Sequence, residues 1–272
     1  MRGYVDTSAG QVHYRQAGDV GPHMVLLHCA NFSSNLYELT LPYLGRSLQA
    51  WAFDAPGVGL SDGPQEPTIV QLAGWLLEAC DALCIEHPVV AGLHTGCRIA
   101  LQMEELRPGY FAAAVLMGTG PLDVEIQRTL PIRGPHLYLE TDKDGTQWSQ
   151  AIARYRTIYP DQDPPTEEDG WLQHLFALSS VSKIVPKRLP WPGGAIEGQG
   201  LNAVFRGFPA PIMLLNTPED LFSPHDEVMA GWNPNAELRL ITGVGPHLML
   251  REPERYAANV FEFLERHDLL PA

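Results

Sequence analysis

The chain has 272 residues, 45% of them hydrophobic, and a formal net charge of −14 from 18 Lys and Arg against 32 Asp and Glu. That length suits one large α/β domain or a core carrying an insertion, and the hydrophobic share suits a globular protein with a substantial core. The negative charge argues against nucleic acid, whose phosphates demand basic side chains, and against an anionic membrane surface; an acidic surface also keeps a cytosolic protein soluble.

From the N-terminus, MRGYVDTSAGQVHYRQAG shows no apolar signal-peptide region, and no apolar run is long enough to span a bilayer. QVHYRQA alternates as a half-exposed strand does, and MVLLHC (24–29) reads as a buried strand. NLYELTLPYLGRSL reads as a helix, and AWAFDAPGVGLSD as a strand ending in a Pro/Gly loop. Over 68–85, Ile69, Leu72, Leu76, Ala79 and Leu83 form one apolar stripe of a helix. PVVAGL and FAAAVLMG are further buried strands, with the helix CRIALQMEEL between them. This alternation predicts an α/β fold: a mostly parallel central sheet with helices on both faces.

The rhythm stops after Gly118 and returns with the strands PIMLLN (211–216) and AELRLI (236–241) and a closing helix near 253–267. Residues 122–205 therefore read as an insertion, with helices expected near 145–158 and 167–180. The core comprises 1–121 and 206–272. Cys29, Cys80, Cys84 and Cys97 show neither metal-knuckle spacing nor a disulfide framework, which fits a reducing cytoplasm.

VVAGLHTGCRIALQ is a strand turning sharply into a helix. At such an elbow the central residue takes a left-handed conformation, and glycines two positions before and after let strand and helix approach. Gly92 and Gly96 meet this requirement around His94, a residue type more often found at positive φ. Placing Thr95 at the tip loses both glycines and puts a β-branched residue at positive φ, so Thr95 is rejected as a nucleophile.

With these residues in view, the chain resembles the α/β-hydrolase superfamily over nearly its whole length. LLHCANFSS is similar to the family's strand and His-Gly oxyanion loop, with Cys29 in the glycine's place. FDAPGVGLSD is similar to its Asp-x-Pro-Gly-x-Gly-x-Ser segment. The elbow matches except at the nucleophile, where His94 replaces serine. PIMLLNTPEDLFSP resembles the segment with the catalytic acid, placing it at Asp220 rather than Glu219. LITGVGPHLML resembles the segment with the catalytic histidine, here His247. The resemblance implies an inserted helical lid at 122–205 and an oxyanion hole from backbone N–H groups at Ala30 and Thr95. It also implies a supporting role for His28.

Four roles for His94 follow. As a nucleophile, its imidazole would form a labile acyl-imidazole, hydrolysed by water that His247 activates under the orientation of Asp220. As half of an acid–base pair with His247, it would share one proton and activate water directly, or serve a lyase, decarboxylase or isomerase. As a bulky replacement, it would leave a ligand-binding protein with a disabled elbow. As a zinc ligand, it would join His28 and His247, but the family's His-Gly histidine does not normally face the nucleophile. Among other nucleophiles, Cys29 occupies a backbone-donor position, Ser33 and Ser34 precede a helix they can cap, and Cys97 points toward the sheet.

The resulting expectation is a cytoplasmic, cofactor-independent hydrolase without a metal. It acts on a small-molecule ester, lactone or thioester through His94, His247 and Asp220. The substrate is apolar or aromatic if Trp148, Tyr155, Tyr159, Trp171, Phe176 and Trp191 of the lid face inward; they equally suit gluing the lid to the core. Neither nucleic acid nor membrane is expected as a partner, and oligomeric state is not legible.

Overall fold

The computed structural model describes residues 1–29, 32–64, 67–120, 144–146, 149, 153, 156, 200–245 and 247–270. The expected lid lies largely outside them, with its two helices and all six aromatic residues named above, and so does Ala30.

Eight strands form one sheet: β1 (Arg2–Thr7), β2 (Gly10–Ala17), β3 (His23–Leu27), β4 (Gln49–Phe53), β5 (Val89–Leu93), β6 (Ala113–Met117), β7 (Ile212–Asn216) and β8 (Ala236–Leu240). Their order is β1-β2-β4-β3-β5-β6-β7-β8. β1 and β2 pair antiparallel, β2 joins β4 antiparallel, and every pair from β4 to β8 is parallel. β5, β6 and β7 are buried throughout, as parallel strands covered on both faces must be. The unanticipated strand is β1, where only Val5 is buried. An edge strand with one inward side chain leaves almost no hydrophobic pattern to read.

Alternate strand residues feed two cores. Val90, Ile212 and Leu214 pack on one face with Leu72 and Leu76 of α2 (Ile69–Ala82) and Ile99 and Met103 of α3 (Thr95–Leu106). Ala91, Leu93, Met213 and Leu215 pack on the other with Leu44 of α1 (Leu41–Leu44) and Tyr256, Val260 and Phe263 of the Pro253–Arg266 helix. A reciprocal cap starts α2: the Thr68 hydroxyl accepts from Gln71 N at 3.2 Å, and the Gln71 side chain accepts from Thr68 N at 2.9 Å. The long helix expected over NLYELTLPYLGRSL is instead a 3-10 turn, Ser34–Tyr37, followed by α1. Pro42 lies inside that window, has no N–H to give, and is tolerated only in a helix's first turn, where α1 places it.

The connection leaving β3 runs to β4 on one side, and the chain then passes to β5 on the other. This reversal opens a crevice beyond the carboxyl ends of β3 and β5, the position where open α/β sheets bind ligands.

Candidate active site

His94 follows β5 and precedes α3, with φ 48° and ψ −105°. The positive φ is the one expected, but ψ lies outside the left-handed helical well, so the turn is sharper than a left-handed residue makes. Both flanking glycines are obligatory. A Cβ on Gly92 would lie 2.6 Å from Cys97 N, and one on Gly96 would lie 2.1 Å from the Leu27 carbonyl oxygen. Strand and helix thus touch backbone to backbone, which lifts the His94 side chain out of the turn. His94 N donates to the Met117 carbonyl at 2.9 Å and fixes the tip against β6.

The imidazole leans toward β6 and β7. Its Nε2 lies 2.9 Å from Oδ2 of Asp220, whose side chain is fully buried while that of His94 remains 18% exposed. Oδ1 of Asp220 accepts from Phe222 N at 2.9 Å, and the Phe222 ring meets the imidazole edge-on at 4.8 Å. Gly118 makes room for the pair: a Cβ there would stand 2.4 Å from His94 Cδ2, 2.6 Å from Nε2 and 2.8 Å from Asp220 Oδ1. Burial opposes charge on His94, but the Asp220 carboxylate, its hydrogen bond and the neighbouring Cys29 outweigh that and raise the pKa to about 10. Burial likewise opposes charge on Asp220, and the His94 charge and hydrogen bonds overcome it, leaving the carboxyl below its usual range.

Beneath this pair lies Asp226, fully buried on the Ser223–Ala230 helix. Its carboxylate accepts from Gly118 N at 3.2 Å, Thr119 N at 3.1 Å and Asn216 Nδ2 at 2.7 Å, tying the ends of β6 and β7 together. Burial, with Asp220 nearby, pushes its pKa up to about 7 against the hydrogen bond from Asn216. Sequence reading missed Asp226. It sits in a polar helical stretch, SPHDEVMA, that carries no signal of burial.

The loop after β3 is clamped from below. His28 Nδ1 donates to the Cys29 carbonyl at 2.8 Å, and His28 Nε2 accepts from Ala55 N at 3.0 Å. Both ring nitrogens are therefore spent on backbone, so His28 supports the loop and does not join His94 and His247 as a third ligand. Asp54 holds the same loop: it accepts from Ser34 N at 2.6 Å and Leu60 N at 2.9 Å and pairs with His13 at 3.0 Å. Those bonds outweigh burial and lower its pKa to about 2. Gly59, at φ +62°, is the glycine that spares the Asp54 carboxylate, 2.3 Å from where a Cβ would be. Cys29 is not at positive φ, so its backbone does not call for glycine. Ser33 caps the 3-10 turn as expected, and Cys97 Sγ is turned to the Gly92 and Met117 carbonyls.

His247 comes after β8 in the left-handed region, at φ 64° and ψ 53°. Its ring lies 5.5 Å from that of Phe32 and 6.3 Å from that of His94. Burial, reinforced by the charge on His94, lowers its pKa to about 3, so it stays neutral at physiological pH. The structure thus gathers His94, His247 and Asp220, but with a different pairing from the sequence reading. There Asp220 orients His247; here its hydrogen bond goes to His94, because the elbow carries the longer imidazole side chain across Gly118. Thr95, as first residue of α3, offers an N–H at the start of the helix.

A profile of the alpha/beta hydrolase family matches residues 24–259. No curated protein matches the chain. Among solved structures, it is similar to a thermophilic esterase from Thermogutta terrifontis, with 18% identity, a TM-score of 0.74 and 98% of each chain covered. A naproxen esterase from Bacillus subtilis is 20% identical at a TM-score of 0.74, with 97% of this chain and 91% of that one covered. An enol-lactonase from Burkholderia xenovorans is 18% identical at a TM-score of 0.73, with 97% and 100% covered. At such identities the likeness is one of fold.

Proposed function

As the chain belongs to the alpha/beta hydrolase family and is an enzyme of hydrolase type, we propose that it hydrolyses a small-molecule ester, lactone or thioester with His94, His247 and Asp220 as its acid–base groups. The observation that carries this reading is the 2.9 Å contact between His94 Nε2 and Asp220. A residue that merely filled the elbow would need no buried carboxylate to orient it. Similar folds that carry the names esterase and enol-lactonase support the substrate class.

The charge states divide the work. His94 holds a proton and His247 does not, and two groups pushed apart in this way mark an acid and its complement. An imidazolium nitrogen has no lone pair to attack with, so proton transfer suits His94 better than nucleophilic attack. His94 gives its proton to the departing alcohol or thiol and recovers one from the water that completes hydrolysis. Asp220 keeps the ring aligned through both transfers. Neutral His247 accepts a hydrogen bond from that water, and the Thr95 N–H faces the oxyanion, as the family resemblance implies.

The test is turnover of a panel of short-chain esters, lactones and thioesters in water labelled with heavy oxygen. Label entering the acid product, with His94→Ala and Asp220→Asn each at least about 100-fold slower, is the expected result. Turnover without label would move the reaction to non-hydrolytic proton transfer. A folded protein that turns over nothing in the panel would overturn the reading.

A further inference from the structure

We propose that Cys29 is the nucleophile of this site, its sulfur facing Nδ1 of His94 while Asp220 holds Nε2. The inference rests on the hydrolase reading above for its acyl substrate.

Three observations place the thiol there. First, β3 and β5 pair in parallel with Met24 opposite Val89 and Leu27 opposite Gly92. Cys29 lies two residues beyond the end of β3 and His94 one residue beyond the end of β5, at the carboxyl ends of two neighbouring strands that border the crevice where strand order reverses. Second, the Cδ2–Nε2 edge of the His94 ring faces Gly118, the residue after β6. The opposite edge, with Nδ1 and Cε1, is therefore turned away from β6, and Cys29 is among the groups near enough to favour the protonated imidazole. Third, the Cys29 backbone is fixed: its carbonyl accepts from His28 Nδ1 at 2.8 Å and from Phe32 N at 3.0 Å. The side chain is thus presented from an anchored loop.

The other cysteines are placed differently. Cys97 Sγ is committed to two carbonyls, Cys80 is sealed in the core and Cys84 is exposed, away from this cluster. Sulfur, imidazole and carboxylate in this order form the relay of a thiol hydrolase, in which the imidazole activates the sulfur and the third group orients the imidazole. The nucleophile has moved one strand over, and the elbow supplies the base.

The pair carries one transferable proton. With it on Nδ1, the Cys29 thiolate attacks the substrate carbonyl carbon and a C–S bond forms. The C–O bond to the leaving alcohol breaks, and that alcohol departs with the Nδ1 proton, leaving a thioester on Cys29 and neutral His94. Water then gives one proton to Nδ1 while its oxygen attacks the thioester carbon. The C–S bond breaks, the acid leaves, and thiolate and imidazolium are restored.

The experiment uses the full chain with p-nitrophenyl acetate, acid-quenched for intact mass and peptide mapping, beside Cys29→Ala and Cys29→Ser checked for folding by circular dichroism. The expected result is an acetyl group on Cys29, and a loss of turnover of about 100-fold or more in Cys29→Ala. Acetyl on His94, or Cys29→Ala within about threefold of wild type, overturns the proposal and leaves the hydrolase reading standing.

A second readout is independent of ester turnover: iodoacetamide labelling followed site by site in wild type and His94→Gln, with Cys84 as internal reference. The labelling rate of Cys29 relative to Cys84 is expected to fall at least about tenfold in His94→Gln. If no ester is turned over but this pattern holds, the hydrolase reading fails and the Cys29–His94 pair stands. Cys29 labelling that ignores His94 overturns the pair.

Discussion

Nε2 of His94 and Oδ2 of Asp220 lie 2.9 Å apart across 126 residues of chain. This one contact decides which imidazole of the site is oriented and charged. It places the elbow imidazole against a buried carboxylate, the arrangement on which the proposed acid–base role rests. Gly118 is the condition for it, since any side chain there would fill the space the two groups share.

Asp220→Asn keeps an oxygen that can accept from Nε2 but removes the charge. His94 then loses the interaction that raises its pKa most. The imidazole resonance is expected to titrate at lower pH by NMR, and kcat/KM to fall by about 10²–10⁴-fold. An unchanged titration would show that Asp220 is not what holds the His94 proton.

The same pair sets a pH window for stability. The folded-state pKa of His94, about 10, lies above the unfolded value of 6.5. Its contribution is therefore complete below pH 6.5 and disappears as pH rises through 10, with at most about 5 kcal/mol at stake. Denaturant titrations of wild type and His94→Gln should show a constant difference below pH 6.5 that narrows toward pH 10. The basic limb of kcat/KM should fall near the same value, because the proton that stabilises the fold is the one given to the leaving group. A difference that widened with pH would reverse the assignment.

Gly118→Ala inserts a methyl 2.4 Å from His94 Cδ2 and 2.8 Å from Asp220 Oδ1, at a φ of +59°. Ring and carboxylate must part by several tenths of an ångström. Stability is expected to drop by about 1–3 kcal/mol, and kcat by about 10²-fold from misplacement alone. Thermal unfolding and steady-state kinetics separate the two effects.

Asp226→Asn presents an amide NH2 where three donors, Gly118 N, Thr119 N and Asn216 Nδ2, converge on a carboxylate. At least one donor is left facing another. Urea unfolding should show a loss of about 1–3 kcal/mol. Because Gly118 is the floor under His94, kcat should fall more than KM rises. Wild-type stability in this variant would mean that Asp226 carries its own proton and holds the strand ends as a neutral acid.

Much of the fold is legible because buried parallel strands write their burial into the chain. VVAGL, AAVLM and IMLL are apolar throughout and lie where the reading put them. β1 is not legible, with only Val5 turned inward, and the helix expected across Pro42 is broken into two short pieces. Glycine spacing and family resemblance also name three residues that the fold brings together, His94, Asp220 and His247. Asp226 is not, because its burial depends on which strand ends it happens to bridge.

The sequence by itself determined the parallel sheet and the elbow around His94, since apolar runs and obligatory glycines are local constraints. Tertiary structure decided the partnerships. Asp220 bonds His94, and His94 and His247 meet from the two ends of the sheet's second half. Hydrogen bonds between groups far apart in the chain depend on strand order, register and a few ångströms of clearance over Gly118, and none of these is written in the residues that make them.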